Sequence, residues 1–207
     1  MKPNMDATPR FNDFVVKFAN VNGSGSASAN GLFAKAILRM GVPVAARNIF
    51  PSNIQGLPTW YEVRVVEDGW RGRRGGVDLM VAMNPQTWDN DVAEVDAGGW
   101  VFYDSTKPLP PSKFREDVTA LGMPLTGICN AEYSDPRQRQ LFKNVIYLGA
   151  LSALLSIEPE VVENLFGEQY KGKEALLESN RKAFRMGRDY ALEHFKCPLP
   201  IRVKRSD

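Results

Sequence analysis

A short run of glycine and serine residues is the part of the chain best suited to hold an anion. The run, residues 22–29, reads Asn-Gly-Ser-Gly-Ser-Ala-Ser-Ala. It lies between an apolar stretch, Phe14–Phe18, and a helix-like stretch, Leu32–Met40. A strand, a glycine turn and a helix in this order present backbone N–H groups to a phosphate or carboxylate. The sequence therefore predicts either an anion site or a tight structural turn at four residues, Gly23, Ser24, Gly25 and Ser26.

The same run lacks one glycine of the dinucleotide-binding fingerprint. Gly23 and Gly25 match the first two glycines, whereas Ser28 stands at the third position. Arg47 follows the second predicted strand, where an NAD-binding fold has an acidic residue. Because an arginine there suits the 2′-phosphate of NADP, an NADP-binding Rossmann-type reductase is one alternative function.

Two further loops carry polar groups between predicted strands. Residues 50–60 combine Asn53, Gln55 and Gly56 with apolar side chains. Loops at strand ends line the ligand crevice of α/β sheets, so this loop can contact either a ligand or a partner subunit. A second loop places three arginines between glycines, which indicates either a phosphate or carboxylate contact or a hairpin tip, at Arg71, Arg73 and Arg74.

Strands and short helices alternate through the first part of the chain. After Phe14–Phe18, strands are predicted over residues 42–46, 60–66, 77–83, 100–103 and 125–128, and residues 136–195 are predicted to be helical. This order predicts an α/β fold, a Rossmann-like three-layer α/β/α sandwich around a mixed sheet, with a helical C-terminal segment. We expect residues 1–12 to form an N-terminal extension, residues 13–195 the domain, and residues 196–207 an extended linker toward a following domain.

Composition excludes several function classes. A net charge of +2 over 207 residues gives no general reason to expect nucleic acid as a partner. The chain has two cysteines, Cys129 and Cys197, and one histidine, His194. A zinc site, an iron–sulfur cluster and a Ser-His-Asp triad therefore each lack parts. The longest apolar run, residues 145–157, is too short and too polar to span a bilayer, and without a secretory signal the expected location is cytoplasmic.

Several segments, taken in order, resemble the gamma domain of 2-oxoacid:ferredoxin oxidoreductases. That family's turn reads Gly-Gly-Gln-Gly before small residues and Leu-Leu-Ala-Lys; here Asn22-Gly23-Ser24-Gly25 precedes Leu32-Phe33-Ala34-Lys35. Residues 51–65 are similar to its Pro-Glu-x-(Arg/Lys)-Gly-Gly loop and strand, residues 78–84 to a buried strand, and residues 144–150 to its Asn-x-x-x-Leu-Gly-Ala helix. The resemblance covers residues 13–195. It is greatest to the version fused at the N-terminus of the alpha subunit of 2-oxoglutarate:ferredoxin oxidoreductases.

The resemblance implies a structural part of a complex that oxidatively decarboxylates a 2-oxoacid, with 2-oxoglutarate favoured, to its acyl-CoA. Thiamine diphosphate, magnesium and a 4Fe–4S cluster would lie in partner domains. The implied partners are the alpha (pyrimidine-binding) domain, the beta subunit and, through the complex, ferredoxin, in an assembly that can be a homodimer. Neither a membrane nor nucleic acid is implied as a partner.

Of the cofactors, the resemblance places only coenzyme A within reach of this chain. The implied contacts are Gly23, Ser24, Gly25, Ser26, Asn53, Gln55 and Gly56, with no catalytic residue and no metal ligand. The isolated chain would then be inactive. Two alternatives stay open at this point, the NADP-binding reductase and a ligand-free interaction module in which the glycine turn serves packing alone.

Overall fold

A computed structural model describes residues 8–50, 54, 56–70, 72 and 74–206. Within these residues there are eight strands, β1 (Arg10–Phe11), β2 (Asp13–Val21), β3 (Val44–Ile49), β4 (Pro58–Val66), β5 (Val77–Ala82), β6 (Val95–Asp104), β7 (Thr119–Met123) and β8 (Ile201–Arg202). Six of them form one sheet in the order β3-β4-β2-β5-β6-β7. Strands β2, β5, β6 and β7 run parallel, while β4 is antiparallel to both β2 and β3. The predicted α/β class with a mixed sheet is confirmed.

Helices cover the two faces of the sheet unequally. They are α1 (Ser26–Arg39), α2 (Trp88–Ala93), α3 (Leu125–Glu132), α4 (Pro136–Leu154), α5 (Pro159–Gln169) and α6 (Glu174–His194). Alternate residues of a strand point to opposite faces. Phe18 accordingly packs against Phe33 of α1, with ring centroids 5.2 Å apart, while the next residue, Ala19, belongs to a smaller cluster with Trp88 of α2. None of the described helices combines the length and apolar composition needed to cross a membrane.

The prediction of a strand over residues 125–128 is wrong. The edge strand β7 ends at Met123, and Leu125 begins helix α3. Pro124 separates the two elements, and no side chain of the local sequence caps the helix. The cap comes from a distant part of the chain, because the Asp104 carboxylate accepts the Thr126 N–H at 3.2 Å. A local apolar pattern carries no sign of a cap formed 22 residues away.

The tail after α6 contains a short strand and packs onto the domain. Strand β8 pairs in parallel with β1, and Ile201 is 2% exposed. Asn12 holds the tail, since its side-chain amide donates to the Lys204 carbonyl and accepts from the Lys204 N–H, both at 2.8 Å. Residues 201–204 are therefore part of the folded body and do not behave as a free linker. That residues 196–207 lead toward a following domain stays a prediction.

Helices α4 and α6 pack together with almost no space between their backbones. A Cβ atom on Gly149 would lie 1.9 Å from the Phe184 carbonyl oxygen, and a Cβ atom on Gly187 would lie 1.8 Å from the Ile146 carbonyl oxygen. Both positions therefore require glycine. This crossing fixes helix α4, which carries several of the polar side chains described below.

Candidate functional site

The glycine turn lies where β2 ends and α1 begins. Gly23 and Gly25 have φ angles of 84° and 77°, in the left-handed region that favours glycine. Gly25 occupies the N-cap position, and no side chain caps the helix. The first N–H groups of a helix have no partner within it, and they carry the positive end of the helix dipole. The predicted strand–turn–helix is confirmed, and its geometry leaves donors for an anion.

Two segments hold this turn in place. Asn144 of α4, which is 6% exposed, donates from its amide nitrogen to the Ser24 carbonyl at 3.0 Å. On the other side, the Gly56 N–H donates to the Asn22 carbonyl at 3.0 Å. The structure therefore brings five of the predicted contact residues together, namely Gly23, Ser24, Gly25, Ser26 and Gly56. Asn53 and Gln55 lie outside the described residues.

The turn separates two clefts at the carboxyl end of the sheet. The first has a volume of about 390 Å³ and is lined by Asn20, Val21, Asn22, Gly23, Ser24, Gly56, Met83, Gln140, Lys143 and Asn144. Among these described residues are amides, one hydroxyl and one ammonium group, and no carboxylate. The second has a volume of about 360 Å³, and three aromatic residues, Phe50, Trp60 and Tyr61, line it together with Asn30 and Asn48. The first cleft thus suits an anion, and the second an aromatic or amphipathic group.

A buried polar network supports the turn from the core. The Tyr147 hydroxyl donates to Asn30 Oδ1 at 2.7 Å, and Asn30 Nδ2 donates to Asn20 Oδ1 at 3.0 Å. Burial raises the pKa of Tyr147, so its hydroxyl keeps its proton. Sequence reasoning missed these three residues. The sequence did contain one signal for them. Asn20 lies in a buried strand and Asn30 on a buried helix face, and the other residues at such positions are mostly apolar.

Asp104 and Lys143 form an ion pair beside the first cleft. Asp104 ends β6, and its Oδ2 atom lies 2.8 Å from Lys143 Nζ. Burial by itself would raise the pKa of Asp104. Hydrogen bonds from Lys143, Thr106 and Thr126, together with the attraction of the Lys143 charge, outweigh it and lower the pKa to about 2. Lys143 also donates to Thr126 Oγ1 at 3.1 Å. The sequence alone did not indicate a role for Lys143, because most lysines on a long helix are solvent-exposed.

In the loop with three arginines, the one arginine that the structure describes, Arg74, does not reach the glycine turn. Arg74 pairs with Asp78 at 2.5 Å. Asp78 lies near the start of β5, and β5 runs parallel to β2. This pair therefore lies at the amino end of the parallel strands, whereas the glycine turn lies at their carboxyl end. Of the predicted roles of this loop, Arg74 therefore makes a carboxylate contact, and it adds no charge at the glycine turn. Arg71 and Arg73 lie outside the described residues.

Among the described residues, the features that would mark a reductase site have other contacts. Arg47, the candidate for an NADP phosphate, pairs with Glu62 of the neighbouring strand at 2.5 Å. Tyr103 and Lys107 have the Tyr-x-x-x-Lys spacing of a reductase proton donor. Tyr103, however, lies on strand β6, and its ring packs against Trp88 and Phe114, with ring centroids 5.2 and 5.6 Å away.

A family comparison shows the class of protein to which the chain belongs. The family model described as pyruvate ferredoxin/flavodoxin oxidoreductase matches residues 15–190, which is most of the chain. The chain belongs to this family. The resemblance seen in the glycine turn and in the segment Asn144–Ala150 is therefore confirmed, and the chain is a gamma-type domain of a 2-oxoacid:ferredoxin oxidoreductase.

Individual relatives of this oxidoreductase domain differ in length. The 2-oxoglutarate synthase subunit KorC of Archaeoglobus fulgidus is 27% identical over 175 residues, covering 84% of this chain and 87% of that subunit. The 2-oxoglutarate oxidoreductase subunit KorA of Mycobacterium tuberculosis is 23% identical over 204 residues, covering 87% of this chain but 31% of that subunit. The chain therefore spans nearly all of a gamma-type subunit and about a third of a longer one.

Solved structures show the same fold. The 2-oxoglutarate:ferredoxin oxidoreductase from Magnetococcus marinus, solved with 2-oxoglutarate, coenzyme A and succinyl-CoA bound, has a TM-score of 0.84 at 24% identity and covers 96% of this chain and 34% of that one. The gamma subunit of a keto/oxoacid ferredoxin oxidoreductase from Geobacter sulfurreducens has a TM-score of 0.68 at 24% identity and covers 87% of this chain and 99% of that one.

Proposed function

We propose that this chain is the gamma part of a complex that oxidatively decarboxylates 2-oxoglutarate to its acyl-CoA, and that its glycine turn contacts coenzyme A. The observation that carries the proposal is the uncapped start of α1 at Gly25, which lines the second cleft and follows Gly23, a residue that lines both clefts. KorC and the Magnetococcus marinus enzyme are both named for 2-oxoglutarate, which supports this choice of 2-oxoacid.

The redox chemistry belongs to partner domains. A 4Fe–4S cluster needs four cysteine thiolates, and this chain has two cysteines. Burial also raises the pKa of Cys129 to about 11, so this residue stays a protonated thiol. We infer that an alpha (pyrimidine-binding) domain and a beta subunit hold thiamine diphosphate, magnesium and the cluster, that ferredoxin receives the electrons, and that the assembled complex is a homodimer.

The residues at the turn fit the phosphates of coenzyme A. Gly23 and Gly25 have no Cβ atom, which allows an anion to approach the backbone closely. The helix dipole of α1 favours negative charge at this end, and no carboxylate lines the first cleft within the described part of the chain. When bound, coenzyme A supplies the thiol that accepts the acyl group. The role of this chain is to bind and orient the phosphate end.

A charge placed at the turn tests this contact. In the complete complex we expect Gly23→Asp to raise the KM for coenzyme A at least tenfold, because the new carboxylate would repel a phosphate bound at the turn. Two like charges about 4 Å apart repel by roughly 4 kcal/mol at an intermediate dielectric constant. The KM for the 2-oxoacid should not change. The measurement is steady-state kinetics, with isothermal titration of coenzyme A as a direct check.

Gly23→Asn is the matched control for this variant. It places a side chain of the same shape at the same left-handed φ angle of 84°, so it reproduces any backbone strain without the charge. We expect its KM for coenzyme A to stay within about threefold of the parent. Unchanged coenzyme A binding in Gly23→Asp would reject the contact and support the ligand-free interaction module, in which the exposed apolar residues near the clefts, Phe50, Ile54 and Leu57, pack against a partner.

A further inference from the structure

The Lys143 ammonium group has hydrogen-bonding capacity that its protein partners do not use. A lysine carries three N–H donors. One faces Asp104 Oδ2 at 2.8 Å and a second faces Thr126 Oγ1 at 3.1 Å. No other acceptor among the described residues takes the third. Since Lys143 lines the first cleft, this donor is available to a group bound there.

The ion pair is oriented toward the cleft. Lys143 lines the first cleft, whereas its partner Asp104 is not among the lining residues. An anion in the cleft therefore meets the positive end of the pair first, and Asp104 lies behind it. Because the interaction energy falls with distance, the nearer ammonium outweighs the farther carboxylate. The low pKa of Asp104 keeps its carboxylate charged at neutral pH.

Other polar side chains line the same cleft. Gln140 lies one turn before Asn144 on α4, and both line the cleft with Lys143. The glycine turn borders the cleft from the other side, at Gly23 and Ser24. Helix α4 and the glycine turn thus face each other across this cleft, and Asn144 joins them through the Ser24 carbonyl.

We propose that Lys143 binds a phosphate group of coenzyme A in the first cleft, opposite the glycine turn, and that Asp104 and Thr126 are positioning residues for its ammonium group. This inference rests on the proposed function, because it assumes that coenzyme A lies at the turn. It adds the cation that the turn by itself lacks. It also assigns the phosphate to the cleft beside α4, which leaves the aromatic cleft at Trp60 and Tyr61 to an uncharged part of the ligand.

The test uses the complete complex and two substitutions of one residue. We expect Lys143→Met to raise the KM for coenzyme A at least tenfold, with kcat and the KM for the 2-oxoacid within twofold of the parent. Lys143→Arg keeps a cation and should recover most of the loss. Inhibition by pantetheine, which has no phosphate, should be the same in all three proteins, since Lys143 meets a phosphate oxygen.

A matched lysine controls for the loss of an ion pair. Lys113→Met removes the partner of Asp89, 2.6 Å away on an exposed surface, and should leave the KM for coenzyme A unchanged. If Lys143→Met does not assemble because it leaves Asp104 unpaired, the double variant Asp104→Asn with Lys143→Met removes both charges. Its KM for coenzyme A then shows whether Lys143 contacts the phosphate.

The outcomes separate this inference from the proposed function. If Gly23→Asp raises the KM for coenzyme A and Lys143→Met does not, the turn contact stands and the role of Lys143 is overturned. If neither variant changes that KM, both are overturned. An equal loss of coenzyme A and pantetheine binding in Lys143→Met would also overturn the phosphate contact.

Discussion

Gly187→Ala should lower the free energy of unfolding by about 3 kcal/mol, at the upper end of the usual cost of overpacking a core. The added Cβ atom would lie 1.8 Å from the Ile146 carbonyl oxygen of α4, which is backbone and cannot rotate away. The two helices must therefore move apart, and they lose part of the packing around Phe184, which is fully buried. Urea denaturation followed by circular dichroism measures the change.

Gly167→Ala is the control for this substitution. Gly167 lies within α5, and a Cβ atom there would meet no atom within 4 Å beyond its chain neighbours and the backbone of its own helix. Because alanine favours a helix over glycine, we expect this variant to be more stable than the parent by about 0.5–1 kcal/mol. A Gly187→Ala protein as stable as Gly167→Ala would show that the two helices do not cross as closely as described.

The second glycine of the crossing gives a further check. Gly149→Ala should cost a similar amount, since its Cβ atom would lie 1.9 Å from the Phe184 carbonyl oxygen. The two costs should not add. Once one alanine has separated α4 from α6, the second has room, so the double variant should lose less than the sum of the single losses. Full additivity would contradict a shared crossing.

The turn between β2 and α1 could be predicted because its causes are local. The apolar run Phe14–Phe18 makes a buried strand, and glycines at positions 23 and 25 supply the left-handed φ angles that the turn needs. The uncapped start of α1 is also local, since Gly25 has no side chain to cap it. Short-range pattern was therefore enough to locate the turn, although not to choose its ligand.

Features built from distant residues could not be predicted in this way. Helix α3 is capped by Asp104, and the packed tail is held by Asn12 from the other end of the chain. Neither residue is near its target in sequence. Lys143 belongs to the same group, because its significance comes from Asp104 and Thr126, which a helical period does not reveal. The sequence locates a backbone turn, whereas the side chains around it depend on the tertiary fold.

Asp104→Asn should lower the free energy of unfolding by about 2 kcal/mol at neutral pH, less than the 3–5 kcal/mol typical of breaking a fully buried pair. The substitution leaves Lys143 without its ionic partner and weakens the cap on the Thr126 N–H. The expected loss is smaller than for a fully buried pair because solvent screens the two charges. In this pair 17% of the Asp104 side chain and 27% of the Lys143 side chain are exposed. Asp89→Asn, in the exposed pair with Lys113, is the control and should cost less than about 1 kcal/mol.

The pH dependence of the stability difference between the parent and Asp104→Asn tests whether the charge of Asp104 causes it. The pKa of Asp104 falls from a usual 3.8 to about 2 in the folded chain, so on acidification the unfolded state takes up the proton first. The stability that the carboxylate contributes is therefore complete above about pH 5 and is lost as the pH falls toward 2. The gap between the parent and Asp104→Asn should then shrink by about 1 kcal/mol between pH 6 and pH 3. A gap that stays constant over this range would mean that shape or hydrogen bonding, and not the charge of Asp104, holds Lys143 beside the cleft.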